Sequence, residues 1–168
     1  ISNNTKLEWL DCSDNQLSSL DLSQNINLKW LACSRNLLQS LNLSNNLLLT
    51  DLHFPGNKIE SIDLSMNKEL QLISCFDNML NQLDLQLLSK LRILWCRYNQ
   101  LSNLDLSNNP KIYALDIRDN LFRCDNWNFI NMYKKLGPPI NYYFGLIEKG
   151  FVYSPQKYGP FECDTNYN

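Results

Sequence analysis

Six apolar residues, Leu7, Leu28, Leu49, Leu70, Leu91 and Ile112, stand 21 positions apart, and each opens the same alternation of apolar and polar places. The pattern runs L-x-x-L-x-C-x-x-N-x-L-x-x-L-x-L-S-x-N, filled in the first copy by Leu7, Leu10, Cys12, Asn15, Leu17, Leu20, Leu22, Ser23 and Asn25. Five more copies follow without a gap. A fixed period in the range of roughly 20 to 50 residues marks a solenoid, in which each unit buries its apolar edge only by stacking on its neighbours. The pattern therefore divides the chain into a solenoid over residues 1–122, with repeats starting at 7, 28, 49, 70, 91 and 112, and a capping segment over 123–168.

Within each unit the spacing fixes local structure. Period-2 alternation places Leu10 and Cys12 inward and Asp11 and Ser13 outward, which predicts a short strand with one buried face. Six stacked units make a parallel sheet. A second Leu-x-Leu, Leu20 and Leu22 in the first copy, puts strand-like or extended segments on the opposite wall, and the bends of about three residues leave no room for a helix of two or more turns. The expected fold is thus a flattened coil with little helix. Asn15, Asn36, Asn57, Asn78, Asn99 and Asn120 fall where the chain turns after the strand, and an amide can donate to and accept from bent backbone there. A second column, Asn25, Asn46, Asn67 and Asn109, serves the other bend, with Leu88 as its break.

This pattern resembles the leucine-rich repeat, and the 21-residue unit with L-x-L-x-x-N twice is similar to repeats of bacterial surface proteins. The Cys at the sixth place resembles internalin J-like proteins, whose repeats carry a cysteine ladder. The resemblance covers residues 1 to about 122. It implies a secreted or wall-attached bacterial adhesin that binds host or surface partners, although a leucine-rich repeat by itself implies only that something is bound.

Composition removes several alternatives. The net charge of −2 over 168 residues leaves no basic stripe for nucleic acid and no Lys/Arg run for an anionic membrane. No apolar stretch approaches the roughly 18 residues of a membrane span, so no direct membrane insertion is expected. Ile1 to Lys6 align with Leu22 to Asn27, so the sequence enters in mid-repeat, and further repeats or a cap upstream are expected of a longer protein.

Four cysteines, Cys12, Cys33, Cys75 and Cys96, share the inward strand position with Phe54 and Ile117 and are expected to be free, buried thiols. Stacked strands about 4.8 Å apart keep in-register Cβ atoms beyond the usual disulfide range of about 3.5 to 4.5 Å. Cys124 and Cys163 lie outside the repeats. A bridge between them would close a loop of about 39 residues, stabilise by roughly 4 kcal/mol and imply an oxidising compartment; two free cysteines of an intracellular protein are the alternative. Between them, Asn126 to Leu136 suit a short closing helix stopped by Gly137, Pro138 and Pro139. The aromatic, Gly- and Pro-broken residues 140–168 suit short strands joined by turns.

Columns that vary between copies are free of scaffold demand. The outward strand places read Trp9, Trp30, Asp51, Leu72, Ile93, Ala114, then Asp11, Ala32, His53, Ser74, Trp95, Asp116, then Ser13, Ser34, Pro55, Phe76, Arg97, Arg118. Exposed Trp and Phe there would suit a protein or glycan ligand, because such rings and Arg are enriched at interfaces. The candidate binding residues are Trp9, Trp30, His53, Phe76, Trp95, Arg97, Tyr98, Tyr113 and Arg118, although several could pack on one another instead. The other wall repeats Asp21, Asn42, Asp63, Asp84 and Asp105, which suggests local hydrogen bonding. It lacks the glycine turns of a calcium-binding repeat, so neither metal nor cofactor is assigned. His53 is the sole histidine, and no nucleophile, base and orienter can be assembled around it, so no enzyme is expected. The expected role is a surface binding module, with a fixed subunit of a larger surface complex as the alternative and a cytoplasmic regulator third.

Overall fold

The computed structural model describes residue 1, residues 3–122 and the backbone of a strand at 150–152. Six three-residue strands recur in the 21-residue register: β1 (Trp9–Asp11), β2 (Trp30–Ala32), β3 (Asp51–His53), β4 (Leu72–Ser74), β5 (Ile93–Trp95) and β6 (Ala114–Asp116). They pair in chain order, all parallel, so that Trp9 faces Trp30 and Leu10 faces Leu31. A seventh strand, β7 (Gly150–Val152), pairs with β6 from outside the register. We call the repeats from Leu7 to Ile112 coils 1 to 6. A parallel pair needs a connection of a dozen residues or more, which the remainder of each coil supplies without a helix.

The core is a stack of identical leucine layers. Leu28, Leu49, Leu70 and Leu91 are fully buried, as are Leu31, Leu52, Ile73 and Leu94 three residues on. At about 2 kcal/mol for each fully buried side chain, these layers are the main favourable term, and none exists until a neighbouring coil covers it. The second wall carries no hydrogen-bonded strand among the described residues. Its Leu-x-Leu segments run into two successive turns, Leu22 O accepting from Asn25 N–H at 3.0 Å and Asn25 O from Leu28 N–H at 3.1 Å. The outward Asp or Asn between the leucines takes the N–H two residues on, as Asp63 does from Ser65 at 2.9 Å, so this monotonous column is turn chemistry. These bonds favour the ionised carboxylate, and the pKa values of Asp21, Asp63 and Asp105 are lowered.

The first asparagine column ties the coils together. Asn78 Nδ2 donates to Phe54 O of the preceding coil at 3.0 Å and to Cys75 O of its own at 3.2 Å, while its Oδ1 accepts from Ile59 N–H at 3.1 Å. Asn36, Asn57, Asn99 and Asn120 repeat the scheme. The second column is simpler: Asn67 Nδ2 donates to Leu43 O and Asn46 O, both at 3.0 Å. At the break, Leu88 is buried and has no amide to offer, yet Asn109 in the next coil still donates to Leu88 O at 2.9 Å.

Three positions beyond the end of each strand stands a residue with left-handed backbone: Asp14, Arg35, Gly56, Asp77, Tyr98 and Asp119, with φ between 50° and 67°. This geometry continues the ladder into the turn, as Arg35 N–H donating to Pro55 O at 2.7 Å shows. Only glycine enters it at no steric cost, and a Cβ on Gly56 would meet Arg35 Cγ at 3.1 Å.

Cys33, Cys75 and Cys96 are free and buried, with Cys33 pushed up to about 12 by desolvation and the other two also raised. Cys12 is half-buried because β1 lies at the edge of the sheet. The cap helix and the Cys124–Cys163 bridge lie outside the described residues, as does the aromatic cap apart from the backbone of β7. Among the described residues no helix is long and apolar enough to cross a membrane.

The ladder predicts unequal costs for one substitution. Asn78→Ala strands carbonyls of two coils and one amide, each at roughly 1 to 3 kcal/mol, so chemical denaturation should show a loss of about 3 kcal/mol or more. Asn15→Ala, on an exposed side chain bonded only within coil 1 apart from its place in the column, should cost about 1 kcal/mol or less. Equal losses would refute the inter-coil role.

Candidate functional site

The outward strand places form a grid of three columns over six coils, and its two ends differ. At the first end Trp9 stacks on Trp30 with ring centroids 5.3 Å apart and planes 18° from parallel. Trp30 meets the His53 ring at 5.4 Å, tilted by 44°. Strands about 4.8 Å apart bring the in-register Trp9 and Trp30 rings to stacking distance, while His53, the register partner of Ala32, meets Trp30 diagonally. Trp9 is 66% exposed while Trp30 and His53 are half-buried, because each of these lies against its neighbours.

At the other end Arg97 carries its guanidinium carbon 4.5 Å from the Phe76 ring centroid and 5.7 Å from that of Tyr98. Beside it Asp116, only 7% exposed, accepts from Arg118 Nε at 2.9 Å and from an Arg118 terminal nitrogen at 2.6 Å. Asp116 in turn raises the pKa of Arg118, first by hydrogen bonding. Between the ends, Ala32, Ser34, Pro55 and Ser74 are buried small residues that form a low floor. The third-place column closes toward coils 5 and 6, where Ile93 and Ala114 are buried.

The expectation of a row of exposed rings thus holds only at Trp9 and Tyr98; Trp30, Phe76 and Trp95 are half-buried by neighbours along the ladder. Tyr98 belongs to the left-handed turn column, at φ 53°, and not to the strand. Tyr113 precedes β6 and stands in the column of Glu8, Lys29 and Arg92, at the border of the face. Asp116 was not among the candidates, and its place beside Arg118 two residues on was the available signal. A separate exposed group, Ile26, Leu47, Leu48, Met66 and Leu87, lies at the second bend. Among the described residues no three His, Cys, Asp or Glu side chains are placed to hold a metal ion.

No protein-family model and no curated protein matches the chain. Solved structures do. The functional domain of InlJ from Listeria monocytogenes, described as including a cysteine ladder, is 32% identical with a TM-score of 0.70 over 73% of this chain and 27% of that one. A leucine-rich repeat protein of Leptospira interrogans is 26% identical, with a TM-score of 0.74 over 80% of this chain and 36% of its own. An internalin, InlF, of Listeria monocytogenes shares the fold at 22% identity and a TM-score of 0.70, over 79% and 41% of the two chains. This chain therefore spans well under half the length of each.

Burial against Trp30 sets a testable property of His53. Desolvation lowers its pKa below 6.5 although Asp51 and Asp11 pull upward. The fold thus favours neutral imidazole, a contribution present above the ordinary histidine range and lost as pH falls through the lowered value. An NMR titration should give a midpoint below 6.5, and Trp30→Ala should move it up; a wild-type midpoint at or above 6.5 would refute the packing.

Proposed function

Taking the chain as what its repeats and structural neighbours show, a leucine-rich repeat solenoid of the 21-residue, internalin-like type, we propose that it is a binding module, not a catalyst, that recognises a protein partner through the strand face. The observation that carries this is the contrast between the two walls. One is uniform and consumed by its own turns, whereas the other presents a tryptophan stack and an aromatic–arginine cluster of the residue types that dominate binding energy. Small buried residues between them leave the large side chains standing on a shallow floor, which suits an extended surface more than a small molecule. A secreted or surface-attached setting and an adhesin-like use are part of this proposal; a glycan ligand stacked on the rings is the other occupant of the same face.

A second reading has one observation of its own. The exposed Ile26, Leu47, Leu48, Met66 and Leu87 would suit permanent contact inside a larger surface assembly, in which case the chain co-purifies in fixed stoichiometry with another subunit.

Peptide-display and glycan-array selection on the whole chain tests the first reading. Ligands selected on the wild type should bind the Trp30→Ala, Trp95→Ala double variant at least tenfold more weakly, with the cooperative unfolding transition retained. Ligands that bind both proteins equally would count against the entire face.

A further inference from the structure

We propose that the strand face seats an acidic side chain of its protein partner on Arg97, with the cationic groups of that partner segment lying toward coils 1 to 3. This rests on the face being the binding surface. Arg97 is held in plane by Phe76 and Tyr98, contacts that use none of its hydrogen-bond donors. Its one recorded hydrogen bond, from a terminal nitrogen to Asp116 Oδ2, is long at 3.4 Å. Arg118 makes the two short bonds to that carboxylate, so Asp116 is already matched. Arg97 is thus held to a carboxylate by that one long bond alone, on a side chain 31% exposed. Asp77 and Asp119 lie nearby in the turn column, and Asp119 acts on Arg118. A planar guanidinium fixed by rings, with its other terminal N–H donors unspent, matches a carboxylate in geometry as well as charge, and it loses little freedom on binding.

The opposite end has the complementary character. Across coils 1 to 3 the three outward columns hold Asp11 and Asp51 and no Lys or Arg, beside the exposed Trp9 ring. Arg35, in the turn column, is already paired with Asp14. Four coil spacings of about 4.8 Å separate the rows of Asp11 and Arg97, roughly 19 Å, the reach of about six extended residues. Fixed charges of both signs at such a separation fit a peptide segment with an acidic and a basic end, whereas a neutral sugar brings no charge to pair with either.

The test uses peptide display on the whole chain, keeping those binders whose signal falls on the Trp30→Ala, Trp95→Ala variant. These face binders should carry Asp or Glu, lose at least tenfold in affinity on Arg97→Gln and at least threefold on Arg97→Lys. Arg97→Glu should recover binding of a peptide whose acidic residue is changed to Lys, which a merely unfolded variant could not do. Face binders that keep their affinity within twofold on Arg97→Gln, or a neutral glycan bound there with the same indifference, would overturn the acidic seat and leave the face reading standing. Absence of any face binder would overturn both.

Discussion

Every coil depends on a carboxamide that belongs equally to its neighbour. A 21-residue loop of chain cannot by itself bury its leucines or satisfy the carbonyls exposed where it bends, and each unpaired buried carbonyl costs about 1 to 3 kcal/mol. Asn36, Asn57, Asn78, Asn99 and Asn120 meet both demands with one side chain, donating backward to the previous coil and inward to their own turn while accepting a backbone N–H. No apolar residue can do this. The second bend, served by donation alone, tolerates Leu88.

Once these positions are committed, the side chains left over define what the molecule can recognise. Odd places on the strand point away from the leucines, and the sheet stacks whatever stands there along the coil axis. That is why Trp9 stacks on Trp30 and why Arg97 lies against Phe76, with His53 and Tyr98 joining from the adjacent columns. The same stacking that assembles these clusters also half-buries them, so rigidity and exposure are traded within one column. A rigid, partly desolvated ring or guanidinium gives up little entropy on contact, which suits the larger side chains to anchoring a partner.

Much of this was legible in the residues. Register, parallel pairing, inward leucines and cysteines, and the asparagine turns follow from period and parity. Parity tells which way Trp30 points but not that Trp9 and His53 cover it, nor that Ile93 and Ala114 are buried on the outward side. The left-handed column was hidden because its occupants, three Asp with Arg35, Gly56 and Tyr98, share a backbone angle and no side-chain chemistry. Gly56 was the visible clue. Tyr98 consequently read as a strand-face residue, and Asp116 read as a surface acid when it is a buried partner of Arg118.

Hydrogen exchange of the asparagine side-chain amides probes the interlock between coils most directly. The Nδ2 protons of Asn57, Asn78 and Asn99 should exchange as slowly as the backbone amides of Cys75 and Cys96, since only separation of coils frees them, while those of Asn15 exchange fast. Fast exchange at all four asparagines, with the backbone amides still protected, would contradict a solenoid held together by its asparagine ladder.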